Sequence, residues 1–252
     1  MLAFERRDAI TKIIERDRKV LVSDLAKQFD VSEETIRRDL EKLENEGVVT
    51  RTHGGATLSK KKSPEIPYIT RDSLNKDLKE SIAKKVAEII PNNATLMVDA
   101  SSTVFEALNV MKDVKNNLSV ITNSIDILFS FLNSELTLVA TGGTMRKHSQ
   151  SMIGSTTEMM LQRYNVDFGV FSCRGLSLEN GVMDSNEPES QVKKAMRDRA
   201  TKVIMLVDST KFDTESFINV FSLDEIDYLV TDKKPPRVWI DICEEKGIHL
   251  IY

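Results

Sequence analysis

Ser32-Glu33-Glu34-Thr35-Ile36-Arg37-Arg38-Asp39-Leu40-Glu41-Lys42-Leu43 is the stretch on which the reading of the N-terminal half turns. Ile36, Leu40 and Leu43 fall at i, i+4 and i+7, the apolar face of a helix running to about Glu46. Ser32 is a good N-cap, Glu33 and Glu34 suit the positive end of the helix dipole, and Gly47 ends the helix as a left-handed cap would. Upstream, Ile10, Ile13 and Ile14 mark a helix from Phe4 to Asp17. Ser23 is placed to cap a short helix, Asp24 to Phe29, and Asp30-Val31 makes a tight break before Ser32. Downstream, Val48 to Thr52 is rich in β-branched residues, His53-Gly54-Gly55 reads as a turn, and Ala56 to Leu58 returns as a second strand. Three helices and a β-hairpin in this order predict a winged helix-turn-helix.

In that motif the first turns of the last helix enter the major groove of DNA. Ser32, Glu34, Thr35, Arg37 and Arg38 are the candidate DNA-binding residues there, with Arg51 and His53 on the hairpin as the wing. Arginine can read guanine O6 and N7 bidentately, and threonine can touch a thymine methyl. The same groups can instead hold phosphate, or form no more than a solvated face. No His or Cys lies near His53 in sequence, which argues against a metal there.

The chain has 252 residues, enough for two modest domains, and a net charge of −4. That balance argues against nucleic acid, but its distribution does not. Residues 1–62 carry 14 basic and 12 acidic residues, whereas the remainder carries 21 and 27. No apolar run approaches the roughly 18 residues that span a bilayer, and the N-terminus has no apolar core of a signal peptide. A cytoplasmic protein without membrane contact is expected. Cys173 and Cys243 sit in no Cys-x-x-Cys pair, so reduced thiols are expected rather than a disulfide or metal site.

Lys60-Lys61-Lys62-Ser63-Pro64-Glu65-Ile66-Pro67 has charge, two prolines and no periodicity. It places a linker over residues 60–74, between a domain at 1–59 and a larger one at 75–252. Asn75 is placed to cap a helix from Lys76 to Ile90. Strands are then predicted at 95–98, 118–122, 136–140, 168–172, 203–207, 228–231 and 249–251. Helices are predicted at 103–111, 124–132, 155–163, 189–199 and 238–246. Apolar strands alternating with helices predict an α/β domain with a mostly parallel sheet covered on both faces.

Polar turns follow these strands. Asp99-Ala100-Ser101-Ser102-Thr103 offers hydroxyls and free amides at a helix N-terminus, which make an anion site or an ordinary cap. Thr122-Asn123-Ser124 and Thr141-Gly142-Gly143-Thr144 repeat the arrangement, and Asp208-Ser209-Thr210-Lys211 adds a lysine suited to phosphate or to plain solvent. Open α/β sheets bind ligands at these strand ends. No Walker or Gly-x-Gly-x-x-Gly motif occurs, so neither nucleotide cofactor nor metal is expected. Glu189 and Lys193, four apart, suggest a salt bridge along one helix.

Ser32 to Leu40 with Leu43, Gly47, Arg51 and His53-Gly54-Gly55-Ala56 resembles the DNA-binding signature of the DeoR family of bacterial repressors. The resemblance continues through Asp99-x-Ser-Ser-Thr103, Thr122-Asn123-Ser124, Gly142-Gly143, Gly154, Phe171, Gly175, Gly181, Glu189 with Lys193, and Asp208-Ser-Thr-Lys211. It implies that Thr35, Arg37 and Arg38 face DNA and that Asp39 is structural. It implies an effector domain similar to ribose-5-phosphate isomerase that takes a phosphorylated sugar. Asp99, Ser101, Ser102 and Thr103 would form the phosphate loop, with Thr122, Asn123, Gly142, Gly143 and Lys211 around it. Two departures stand out: Ser101-Ser102-Thr103 replaces the family's Gly-Thr-Thr, and Ser172-Cys173-Arg174 replaces a small Gly-Ala, which makes Arg174 a candidate ligand contact.

The expected protein is a sequence-specific repressor of a sugar-metabolism operon, a homodimer or tetramer on operator DNA, modulated by a phosphosugar. The contrasting expectation is an isomerase with an appended module. Asp167, Asp184 and Glu187 are available carboxylates, but no catalytic constellation is legible, so no enzyme is expected.

Overall fold

The computed structural model describes residues 3–17, 19–45, 48–58 and 65–252. Gly47 and residues 60–64 of the expected linker lie outside these. The chain divides into two units, Met1–Ile66 and Pro67–Tyr252.

The first unit contains α1 (Ala3–Asp17), β1 (Lys19–Leu21), α2 (Val22–Phe29), α3 (Glu33–Asn45), β2 (Val49–Thr52) and β3 (Gly55–Leu58). β2 and β3 form the expected hairpin, with Thr52 opposite Gly55. β1 pairs with the other edge of β3, giving a three-stranded sheet in the order β1-β3-β2. That strand overturns Ser23 as an N-cap. α2 begins at Val22, its N-cap position is Leu21, and the Val22 amide donates to the Gly54 carbonyl at 2.9 Å. Because β1 runs straight into α2, Ser23 already lies inside the helix, and the wing turn takes the first helical amide. Asp30 does break the chain, in the left-handed region at φ 52°, and Ser32 Oγ accepts from the Thr35 amide at 3.2 Å. Ile10, Ile14, Leu25, Ile36, Leu40, Leu43, Val49 and Ala56 close one core. Asp39, on the same helix as Ile36 and Leu40, is buried and accepts from Arg6 Nε at 2.6 Å, with Arg7 at 3.8 Å.

The second unit opens with α4 (Tyr68–Ser73) and α5 (Lys76–Ile89), then β4 (Thr95–Val98), α6 (Ser102–Val114), β5 (Ser119–Thr122), α7 (Ile125–Ser130) and β6 (Thr137–Ala140). A hairpin of β7 (Thr144–Arg146) and β8 (Ser151–Ile153) precedes α8 (Ser155–Leu161) and β9 (Val166–Ser172). β10 (Gly175–Ser177), β11 (Gly181–Asp184), α9 (Glu187–Arg197), β12 (Ala200–Leu206), β13 (Ile218–Phe221), β14 (Tyr228–Val230), α10 (Arg237–Lys246) and β15 (His249–Ile251) complete it. The seven expected strands form one parallel sheet in the order β15-β14-β12-β9-β4-β5-β6.

Alternation along the strands sends side chains to two cores. Leu96, Val98, Val170, Ile204 and Leu206 pack under α5 and α6, with Ile82, Val86 and Leu108. Met97, Phe171, Val203 and Met205 pack on the other face with Val192, Met196 and Trp239 of α9 and α10. A sheet buried on both faces accounts for strands that read as near-continuous apolar runs.

Two expectations fail at the start of this unit. Residues 68–73, read as linker, form α4, with the Tyr68 side chain buried and its hydroxyl donating to Asp126 at 2.7 Å. Asn75 stands at the N-cap position of α5 but is left-handed, at φ 52°, and makes no side-chain cap. It turns the chain between α4 and α5, leaving its side chain misplaced for the first-turn amides.

Candidate DNA interface and effector site

Of the candidate DNA-binding residues, Ser32, Glu34, Arg37, Arg38, Arg51 and His53 are exposed and Thr35 is half-buried. Ser32 Oγ and Thr35 Oγ1 lie 2.9 Å apart, so the cap also orients the threonine. Arg37 pairs with Glu33 at 3.1 Å and Arg38 with Glu34 at 3.3 Å. Both are exposed i,i+4 pairs, worth little and readily exchanged for phosphate or a base edge. Arg51 is tied back to α3, pairing with Glu44 at 3.0 Å while its amide donates to the same carboxylate at 2.9 Å. His53 stands at the wing turn beside Gly54, whose φ of +91° favours glycine.

In the second unit the sheet order reverses between β4 and β9. Chains run from β4 out to β5 and β6, then return to the other side of β4 as β9 and β12. The crevice beyond the carboxyl ends at such a reversal is where open α/β sheets take ligands. The loops after β4 and β9 are tied across this point, since Asp99 Oδ2 accepts from the Ser172 amide at 3.2 Å. Asp99 Oδ1 accepts from the Ser101 amide at 3.1 Å, and Ser101 Oγ caps α6 by accepting from Val104.

Lys193 of α9 fills the base of the crevice. Its ammonium lies 2.6 Å from Asp184, 3.1 Å from Asp99 and 2.6 Å from the Ser172 carbonyl. Burial disfavours the charge, but Asp184 and Asp99 hold the ammonium well above the ordinary lysine range. Burial likewise disfavours the Asp184 carboxylate, which Lys193 nonetheless holds below its usual range. This corrects the expected Glu189–Lys193 bridge. Glu189 instead faces the β7–β8 hairpin, accepting from Ser151 Oγ at 2.9 Å and pairing with Arg146 at 3.4 Å. β11, absent from the sequence reading, delivers Asp184 and so redirects the lysine.

Asp99 therefore serves as an anchor for the loop, and its oxygens are taken. Ser101 and Thr103 are buried at the start of α6, and Ser102 Oγ donates to the Arg71 carbonyl at 3.3 Å. Thr122 ties β5 to β4 through a 2.9 Å bond to the Val98 carbonyl. Asn123 donates to the Met152 carbonyl at 2.9 Å, whereas its Oδ1 is buried with no hydrogen-bond partner. Gly142 and Gly143 both have positive φ, at +65° and +119°. A Cβ on Gly143 would sit 2.8 Å from the Ile153 carbonyl, so only glycine lets this turn close on the β7–β8 hairpin.

Lys211 lies beside β10, its carbonyl accepting from the Leu176 amide at 2.9 Å, and Arg174 immediately precedes that strand. Burial lowers the Lys211 pKa; Asp208 opposes this, while Arg174 and Arg71 reinforce it. Several cations at strand ends beside helix-cap hydroxyls suit an anionic, hydroxyl-bearing ligand. Sequence reading missed Arg71, because it lies in the stretch assigned to linker. Cys173 gains nothing as a nucleophile, since burial pushes its thiol up to about 12. No group of three or more His, Cys, Asp or Glu among the described residues is placed to hold a metal ion. No helix among them is long and apolar enough to cross a membrane.

Residues 6–62 match the model of the DeoR-like helix-turn-helix domain, and residues 74–233 match that of the DeoR C terminal sensor domain. The chain belongs to the DeoR family. As a DeoR-family chain it is a DNA-binding transcriptional regulator carrying a sensor domain. It is 34% identical to the L-fucose operon activator of Haemophilus influenzae, over 96% of this chain and 97% of that one. It is 28% identical to the glycerol-3-phosphate regulon repressor of Escherichia coli, over 98% and 97% of the two chains. Ribose 5-phosphate isomerase A of Methanocaldococcus jannaschii superposes with a TM-score of 0.42 at 16% identity, over 56% of each chain.

Proposed function

We propose that this regulator represses a sugar-metabolism operon and that a phosphorylated sugar, bound at the β4–β9 crevice, sets its affinity for operator DNA. The buried, unpartnered Asn123 Oδ1 in the loop after β5 carries the reading. It lacks a donor, and a buried acceptor without one costs about 1–3 kcal/mol. A sugar hydroxyl supplies that donor. Lys211, Arg174, Ser101, Ser102 and Thr103 supply the phosphate contacts, with Thr122, Gly142 and Gly143 shaping the crevice and Asp99 anchoring its loop. Ser32, Glu34, Thr35, Arg37 and Arg38 meet the major groove, and Arg51 and His53 the adjacent backbone. The repressor name of the glycerol-3-phosphate relative supports repression.

A binding role rather than catalysis fits the carboxylates. An aldose–ketose isomerase needs a base beside its substrate. Asp184 is held ionised by Lys193, which makes it a poor base. Asp167 accepts from the Thr95 amide and hydroxyl at the amino ends of β9 and β4, opposite the crevice. Binding of a pseudo-palindromic operator calls for a homodimer or tetramer in the cytoplasm.

The test is thermal stabilisation of the full chain by phosphosugars and their unphosphorylated parents, because a ligand of the folded state raises the midpoint by mass action. Selective stabilisation by a phosphorylated compound supports the reading. Equal stabilisation by its parent removes phosphate recognition from it.

A further inference from the structure

Glu44 stands in the last turn of α3, where the negative end of the helix dipole disfavours a carboxylate. Both of its oxygens go to one residue of the wing. Oε1 accepts from the Arg51 amide at 2.9 Å, and Oε2 pairs with Arg51 Nε at 3.0 Å. β2 is an edge strand of the described sheet, paired with β3 on one side only, so its outward amides face no neighbouring strand. Glu44 serves one of them. The Val48 amide also returns to the Leu43 carbonyl, at 2.8 Å, which folds the start of β2 back against the end of α3.

Seven residues make two turns of helix, so Glu44 shares a face with Arg37 and lies about 10 Å further along the axis. That face opens with Arg37, assigned above to the major groove, and closes with a carboxylate that grips the wing. A guanidinium carries five donors, so an Arg51 held through Nε still has its terminal amino groups to offer a phosphate. The paired side chains are 45% and 37% exposed, so the pair adds little stability, and its effect lies in where it holds Arg51.

We propose that Glu44 is a positioning residue for DNA binding. By taking the backbone amide and the guanidinium of Arg51 together, it fixes the wing on α3, so that Arg51 meets a DNA phosphate in register with Arg37. This rests on the reading of Arg51 as a wing contact. An arginine already held in place loses less freedom when DNA arrives, and such preorganisation raises affinity. A pair that kept Arg51 away from DNA would act in reverse: deleting the carboxylate would release a cation and steepen the salt dependence.

The experiment titrates the full chain against a duplex that the wild type selects from a random library, at several salt concentrations. One phosphate contact contributes about 0.9 to the log–log salt slope, or about fivefold in affinity at about 0.15 M salt. Arg51→Ala should therefore cost about fivefold in the wild type but less than about twofold in Glu44→Ala, whose own salt slope should already be lower by about 1. Arg37→Ala should cost the same in both backgrounds, which a general folding defect would not allow. Glu44→Gln keeps an acceptor for the Arg51 amide but loses the ion pair, so the Arg51→Ala cost there should fall between. An undiminished Arg51→Ala cost in Glu44→Ala, a collapse of the Arg37→Ala cost there, or a steeper salt slope overturns this inference and leaves the wing reading standing. No cost of Arg51→Ala in the wild type overturns both.

Discussion

Replacing Lys193 by methionine should damage the sensor unit more than any single loss at its surface. The substitution keeps most of the side-chain volume but removes the ammonium lying 2.6 Å from Asp184 and 3.1 Å from Asp99. Both carboxylates are largely buried, so they cannot turn to bulk water for compensation. Breaking such a pair by removing one partner costs about 3–5 kcal/mol, mostly as the penalty of an uncompensated buried charge. For a unit of this size each kcal/mol moves the midpoint by about 2–4 °C, so a fall of roughly 6–20 °C is expected. The loss should depend on pH. In the wild type the depressed Asp184 pKa contributes stability that is present above the unfolded value and lost as pH falls through the folded one. Without Lys193 the carboxyl is pushed upward by burial, so acid relieves the variant at a pH where the wild type still keeps its Asp184 contribution. Urea denaturation at pH 7 and pH 5 should therefore show the gap narrowing in acid. Lys193→Met with Asp184→Asn should recover part of the loss. A gap below about 1 kcal/mol at pH 7, or one that widens in acid, would refute the argument that an ion cluster anchors these strand-end loops.

The remaining predictions concern both units. Asp39→Ala strands the buried Arg6 guanidinium, so the first unit should lose about 3 kcal/mol, seen as an early transition in calorimetry. Lys79 is held down to about 8 by burial. Its stabilising contribution is thus fully present only above the unfolded pKa and is lost as pH falls through about 8; stability should rise by up to about 3 kcal/mol between those values, and Lys79→Met should flatten this rise in denaturation curves. Arg37→Ala should weaken operator binding in gel-shift titrations while leaving ligand stabilisation unchanged. If Arg37 holds phosphate, the log–log salt slope should fall by about 1; if it reads a base, sequence preference should relax instead.

The parts of this fold that show in the sequence are those where one element's pattern decides its fate. Ile36, Leu40 and Leu43 define the buried side of α3 because helical period and burial agree, and the seven parallel strands show as apolar runs because both faces of the sheet are covered. What does not show depends on partners distant in the chain. β1 is only three residues and exists by pairing with β3, which is why Ser23 looks like a cap and is not. β10 has three residues and β11 four, with mixed polarity, so nothing in Gly181–Asp184 announces that Asp184 will take Lys193 from Glu189. α4 follows a proline-rich stretch and has six residues, too few for periodicity to appear, and with it Arg71 goes unseen. Among the candidate site residues, chemistry at the strand ends is legible, but the division of labour is not. Asp99 looks like a ligand group by its position, yet its oxygens hold Ser101, Ser172 and Lys193.

The central claim is that an anion bound at the β4–β9 crevice changes affinity for DNA. It is tested most directly by titrating the full chain, and its Lys211→Ala variant, against a duplex selected from a random library. Each titration is run with and without the phosphosugar that stabilises the wild type most. The account predicts a change of at least about fivefold in Kd for the wild type, the lower end of typical couplings between sites, and none at the same concentration for Lys211→Ala. A wild-type Kd that does not move at saturating phosphosugar would contradict it.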